Sequence, residues 1–304
     1  MEPKKTNTSK IVVSAILLSK PGIILSVAFT GYAGMVVASK NIPPFSITFF
    51  GILSLLLSAA GSAILNNVLD KKIDKMMKRL TKRVEALETL GDTNALIVSV
   101  LMIIVALVIS LIYLNYLNTL LIVLAVLSYT VLYTLFLKRS SPFGTILGGI
   151  PGALPVLIGY SAVRPEIGLD GFILFTFMML WQPPHFWALA QKYKDQYAEA
   201  GIPVMPVAFG TKYTNILILL YSLTLIPLTL ALWLTGLCSA YFAIFALIIG
   251  LYFEYTIVKS VYDNKSYGTA FSTSIIYMLA IMISLIIDIA MHPQLPVEKV
   301  ISAI

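Results

Sequence analysis

The chain has 304 residues, of which 59% are apolar and only 12% charged, and its mean hydropathy is +0.91. No water-soluble globule of that length has such a composition, so the chain reads as an all-α, polytopic membrane protein. The formal net charge of +7 is mostly a topology signal with some affinity for anionic lipid or substrate, and needs no nucleic acid to explain it.

Apolar runs of about twenty residues predict nine spans, near 22–39, 45–66, 93–114, 117–137, 144–163, 171–190, 213–235, 238–259 and 269–290. Ahead of them, residues 1–20 form a cytoplasmic segment whose last ten residues are read as an interfacial helix, broken at Pro21-Gly22 where the first span begins. Nothing there reads as a cleavable signal, because Lys20-Pro21 interrupts the apolar stretch and no small-residue cleavage site follows it. The membrane domain then runs over 21–290, and 291–304 is an external tail. With the amino end inside, 18 of the 21 basic residues fall on the cytoplasmic face, leaving only Lys40, Arg164 and Lys299 opposite.

Two cytoplasmic segments, 67–92 and 191–212, are long for a bundle and rich in ionisable residues. At the mouth of the first, Asn66, Asp70 and Asp74 stand four residues apart in NNVLDKKID, a spacing that keeps all three on one helical face. Two carboxylates and an amide make a hard-oxygen cluster of the kind Mg²⁺ prefers when it also holds a phosphate or diphosphate. Arg79 and Arg83 follow one turn apart, and their forked donors suit other oxygens of the same polyanion, although positive-inside bias alone would also explain them. The second segment is approached by LWQPPHFWALAQKYKDQYAEAGIPVMPV. Pro183-Pro184 is expected to distort that helix, grouping Gln182, His185, Trp181, Phe186 and Trp187 around an irregular pocket. Asp195 and Glu199 then repeat the spacing of Asp70 and Asp74, and Gly201-Ile202-Pro203 ends their helix. The lone Cys238 excludes an intramolecular disulfide and a cysteine-ligated zinc, two histidines exclude a histidine-rich metal site, and no serine-hydrolase, dinucleotide or phosphate-loop pattern occurs.

Three strings carry a family resemblance: NNVLDKKIDKMMKR at 66–79, YTLFLKRSSPFGTILGGIPGALPVLIGYSA at 133–162, and WQPPHFWALAQKYKDQYAEAGIPVMPV at 181–207. On these residues the chain resembles the UbiA-type intramembrane prenyltransferases, and within them the protohaem farnesyltransferase branch. The resemblance implies a bundle of nine transmembrane helices around a central cavity, capped by the two acidic cytoplasmic loops. It implies Mg²⁺ as cofactor, farnesyl diphosphate and protohaem as substrates, a cell-membrane location, and partners in haem modification or cytochrome oxidase assembly. Residue by residue it makes Asn66, Asp70, Asp74 and Asp195 the Mg²⁺-diphosphate motifs, with Glu199 at suitable spacing to assist. Arg79, Arg83, Lys138 and Arg139 become diphosphate ligands, and Trp181, Gln182 and His185 fall on the haem side. Lys72 stands where these enzymes often carry another aspartate. Gly148, Gly149, Gly152 and Gly159 fit either close porphyrin approach or plain helix packing. The rivals are a UbiA-type transferase acting on a quinone precursor or lipid alcohol and, from a different class, a haem or lipid transporter, and spans nearly free of ionisable groups count against the transporter.

Overall fold

The computed structural model describes residues 8–262 and 266–293. The first seven residues and 294–304, with Lys299 and most of the predicted external tail, lie outside the described residues.

Helix α1 (Thr8–Leu18) stops at Lys20, whose φ of 59° is left-handed, and Pro21 opens α2 (Pro21–Ser39). Proline suits a first helical turn, where its missing N–H has no partner to lose. The break therefore falls at Lys20, one residue before the expected Pro21-Gly22. Helix α3 (Phe45–Asp74) has 30 residues, about 45 Å, which exceeds a hydrocarbon thickness of about 30 Å. Its C-terminal end, bearing Asn66, Asp70 and Asp74, is thus a continuation of the span and not a loop. A 3₁₀ turn (Lys78–Leu80) leads into α4 (Thr81–Leu90), and Gly91 at φ 83° turns the chain into α5 (Asp92–Tyr113). There follow α6 (Tyr116–Ser140), α7 (Gly144–Val163), α8 (Leu169–Lys192), α9 (Lys194–Glu199) and α10 (Met205–Ala208). The last three long helices are α11 (Gly210–Leu234), α12 (Ala240–Tyr262) and α13 (Tyr267–Met291).

Among the described residues, eight helices are long and apolar enough to cross a membrane, so the predicted nine are not confirmed. The helix set apart is α8. It has 24 residues, but its second half carries Gln182, two prolines and His185, which dilute its apolar character below that of the others. It packs inside the bundle against α7, α11 and α13, where neighbouring helices and not lipid surround that half. Pro183 and Pro184 do not break it: the helix runs unbroken through both, which are buried. Trp187 is also buried, edge-on to Tyr221 of α11, away from His185.

Two contacts set the position of the end of the bundle that carries Asn66, Asp70 and Asp74. Helices α2 and α7 approach backbone to backbone at Gly31, Gly34 and Gly159, where a side chain on either would strike the other's carbonyl oxygens. Met77 and Leu80 of the segment 67–92 pack with Ala190, Tyr197, Ile202 and Val204 at and beyond the end of α8, so the two segments form one cap. At the opposite end, the buried Asp288 accepts hydrogen bonds from the backbone N–H of Ser239, at 2.8 Å, and from its hydroxyl, fixing the start of α12. An intramembrane acid is thereby explained by a helix-end contact and not a transport path. Asp288→Ala is expected to lower stability by about 1–2 kcal/mol, read as a fall in thermal midpoint with substrate binding unaltered.

Candidate active site

Asn66, Asp70 and Asp74 share one face of α3 and are buried, with exposures of 6%, 1% and 4%. They line a cavity of about 210 Å³ at the end of the bundle where α3 finishes. Both Asp70 oxygens are engaged: Lys138 donates to one at 2.5 Å, and Arg139 approaches the other at 3.3 Å. Asn66 adds an N–H to Asp70 at 2.9 Å and another to Thr134 at 3.0 Å. Its amide oxygen accepts from Lys20 at 2.6 Å, and Lys20 also reaches the Tyr129 hydroxyl at 3.2 Å. Burial, reinforced by the Arg83 charge, pushes the Lys20 ammonium down to about 7. Among the described residues no hydrogen bond or ion pair holds the Asp74 carboxylate, although it faces the same cavity.

The basic wall is built by α6, whose stretch Ser128–Leu137 is a π-helix. Its wider turn, marked by the Thr134 hydroxyl bonding the Tyr129 carbonyl five residues back at 2.8 Å, lets both Tyr129 and Tyr133 line the cavity just ahead of Lys138. Such bulges recur at functional sites because they re-aim a helix face. Arg79 and Arg83 come from the other side, and Met77, Leu80, Phe186, Leu189, Ile202 and Val204 supply an apolar wall. The cavity is thus cationic at one side, acidic at another and greasy beyond.

The second acidic pair does not join it. Asp195 and Glu199 are exposed, and Asp195 lines a separate open cleft with Lys192 and Lys194. The residue of α9 that turns inward is Tyr197, 3% exposed, whose hydroxyl accepts an Arg79 N–H at 2.8 Å. The Arg79 guanidinium also lies 5.0 and 5.3 Å from the ring centres of Tyr193 and Tyr197. The i,i+4 pair facing Arg79 is therefore Tyr193/Tyr197, two residues out of phase with Asp195/Glu199. Phase on a six-residue helix decides which pair faces in, and the packing of Tyr197 against Met77 and Leu80 sets that phase.

His185, Trp181 and Gln182 also lie outside the cavity lining. The His185 ring is stacked between Trp181 and Phe271, with centres 4.5 and 4.4 Å away, and its Nδ1 meets the Ser274 hydroxyl at 2.7 Å. Trp181 donates to the Ser274 carbonyl at 2.8 Å, and Gln182 donates to the Gly149 carbonyl at 2.7 Å. These bonds tie α8 to α13 and to the start of α7.

The sequence matches the UbiA prenyltransferase family over residues 27–281. The chain belongs to that family. It is 46% identical to a protoheme IX farnesyltransferase of Geotalea uraniireducens over 259 residues, covering 85% of this chain and all of the relative. It is 39% identical to a protein of the same name from Aquifex aeolicus, covering 91% of this chain and 96% of that one. In fold it resembles a UbiA homologue of Archaeoglobus fulgidus solved with DMAPP and Mg²⁺, with a TM-score of 0.68 at 14% identity over 90% of this chain and 99% of the other.

For a UbiA-family chain the donor set can be tested against Mg²⁺. Among the described residues no three His, Cys, Asp or Glu side chains converge. Mg²⁺ needs fewer, since it commonly takes one or two carboxylates and fills its octahedron with water and substrate phosphates. Asp70 and Asp74 with the Asn66 amide fit that demand, and the unpaired Asp74 carboxylate is the oxygen most ready for it. Lys20, Tyr129, Tyr133 and Tyr197 line this UbiA-family cavity, although sequence reasoning did not select them. Lys20 looked like one more topology charge. Its signal was a lysine at a helix break, directly before proline.

Proposed function

We propose that this chain transfers the farnesyl group of farnesyl diphosphate to a vinyl group of protohaem, with addition of water, giving haem O and diphosphate. The observation that carries this reading is Asp70, buried on a span and paired with Lys138 in a cavity with a greasy wall, while Arg139 holds its other oxygen from outside the lining. Two carboxylates among Lys20, Arg79, Arg83 and Lys138 leave basic residues in excess along the lining, which suits a polyanion that brings its own metal. Mg²⁺, held by Asp70 and Asp74 with Asn66, would neutralise diphosphate oxygens.

Arg79, Arg83, Lys138 and Arg139, joined by Lys20, would bind the remaining diphosphate oxygens. As the allylic C–O bond breaks, its electron pair passes to the diphosphate, and these donors meet charge where it grows. The apolar wall would hold the prenyl chain and keep water from the allylic cation until a vinyl carbon attacks it. Water then adds to the resulting cation and gives up a proton to solvent, so no protein nucleophile is required. Asp195 and Glu199 are exposed and do not line this cavity, so the diphosphate site is assigned without them. We read the amino end as cytoplasmic and the carboxyl end as external from the basic-residue bias, and infer that the product passes to cytochrome oxidase assembly.

Lys20→Met is expected to raise the apparent KM for farnesyl diphosphate about tenfold, the scale of one charge-assisted hydrogen bond, with protohaem affinity unchanged. His185→Ala tests the acceptor side. With both ring faces covered by protein, the expected result is a lower thermal midpoint and an unaltered haem spectrum. Weakened binding or a shifted Soret band would give His185 to the acceptor. The reaction itself is tested by incubating purified protein with farnesyl diphosphate, Mg²⁺ and either protohaem or a 4-hydroxybenzoate-like acceptor and reading product mass. Prenylation of the second acceptor alone would overturn the reading.

A further inference from the structure

The second cytoplasmic segment gives the cavity it covers two apolar side chains, Ile202 and Val204, and none of its acids. Tyr197 is the side chain of α9 that lines the cavity. Its oxygen is already an acceptor for Arg79 at 2.8 Å. A phenol that accepts through a lone pair still has its own O–H to give, and the Tyr197 hydroxyl cannot spend that proton on Arg79, which has donors only. Asp74, Tyr133, Arg79 and Tyr197 line the same cavity. Packing on Phe186, with ring centres 6.3 Å apart, and on Met77 and Leu80 holds the ring in place.

We propose that Tyr197 is the second segment's ligand for the diphosphate, its O–H donating to a leaving-group oxygen while Arg79 holds the phenol from behind. The role rests on the prenyl-transfer reading above and deepens it. The allylic C–O bond breaks with its electron pair staying on diphosphate, and Tyr197 keeps its proton throughout, shortening a hydrogen bond as that oxygen gains charge. Arg79 polarises the phenol by donating to it, which makes the O–H a better donor. The segment thereby closes on the leaving group with a neutral donor, where a carboxylate would need a further cation to approach a polyanion.

The first test is binding of inorganic diphosphate with Mg²⁺ to wild-type protein and to Tyr197→Phe in nanodiscs, by calorimetry. Phenylalanine keeps the ring, its packing and its contact with the Arg79 guanidinium. Binding is expected to weaken about tenfold or more, since the lost bond is to a charged acceptor, and kcat for farnesyl transfer should fall with protohaem affinity unchanged. Unchanged diphosphate binding overturns the proposal, whatever happens to thermal stability. The second test leaves the hydroxyl in place: 3-fluorotyrosine at position 197 reports by fluorine NMR, and its resonance should shift on adding diphosphate with Mg²⁺. A resonance indifferent to diphosphate overturns the proposal too. Neither binding readout needs an acceptor, so a wrong assignment of protohaem would leave both results intact.

Discussion

Asp70→Asn is expected to reduce farnesyl transfer by at least about 10²–10³-fold at saturating Mg²⁺, the scale seen when one preorganised electrostatic contact to developing charge is removed. It should also destabilise the protein. Asp70 is 1% exposed and neutralises Lys138, which is largely covered, so the amide leaves a cation short of its partner. A fully buried pair broken on one side costs about 3–5 kcal/mol. Here about 1–3 kcal/mol is expected, because Arg139 is 40% exposed and reaches solvent. Asp74→Asn separates the two roles. That carboxylate faces the cavity without a hydrogen bond, so the variant should lose activity comparably and keep the wild-type thermal midpoint. Near-normal turnover in either variant would remove the metal and diphosphate assignment from α3.

Most of the spans could be read from the chain because lipid imposes length and apolarity together. The predicted 45–66 and 269–290 became Phe45–Asp74 and Tyr267–Met291. The predicted 171–190 likewise became α8, Leu169–Lys192, but its apolar surroundings come from other helices, so its own hydropathy leaves it out of the eight. Its paired prolines looked like a break by local rules. Tertiary packing on three sides holds the helix through them.

The α3 half of the site was legible because its spacing matched the helix period and the helix was long enough to fix the phase. The second half was not. In KYKDQYAEA acids and tyrosines share the same i,i+4 interval, and only the packing of Tyr197 under the first segment decides which pair faces Arg79. Surface charge was equally ambiguous: Lys71 pairs with Asp92 and Lys75 with Glu88 at the exterior, whereas Lys20 and Lys138 turn inward. Composition cannot tell these lysines apart.

Gly159→Ala is expected to produce the largest loss of stability from a single methyl group. A Cβ built at Gly159 lies 1.8 Å from the Gly31 carbonyl oxygen and 2.6 Å from its carbonyl carbon, both backbone atoms of α2. No rotamer relieves that overlap, so α2 and α7 must separate. Overpacking typically costs about 1–3 kcal/mol and more when backbone has to move. The separation should also displace Lys20, at the start of α2, from Asn66, raising the KM for farnesyl diphosphate in step with the lowered thermal midpoint. Gly22→Ala is the control: nothing lies within 4 Å of a Cβ there, and alanine is the better helix former by about 1 kcal/mol. The same pair of variants decides between packing and porphyrin approach for Gly159. A normal midpoint with weakened protohaem binding would put Gly159 on the acceptor surface. The backbone contact with Gly31 predicts the reverse, a fallen midpoint with protohaem affinity retained in the folded fraction.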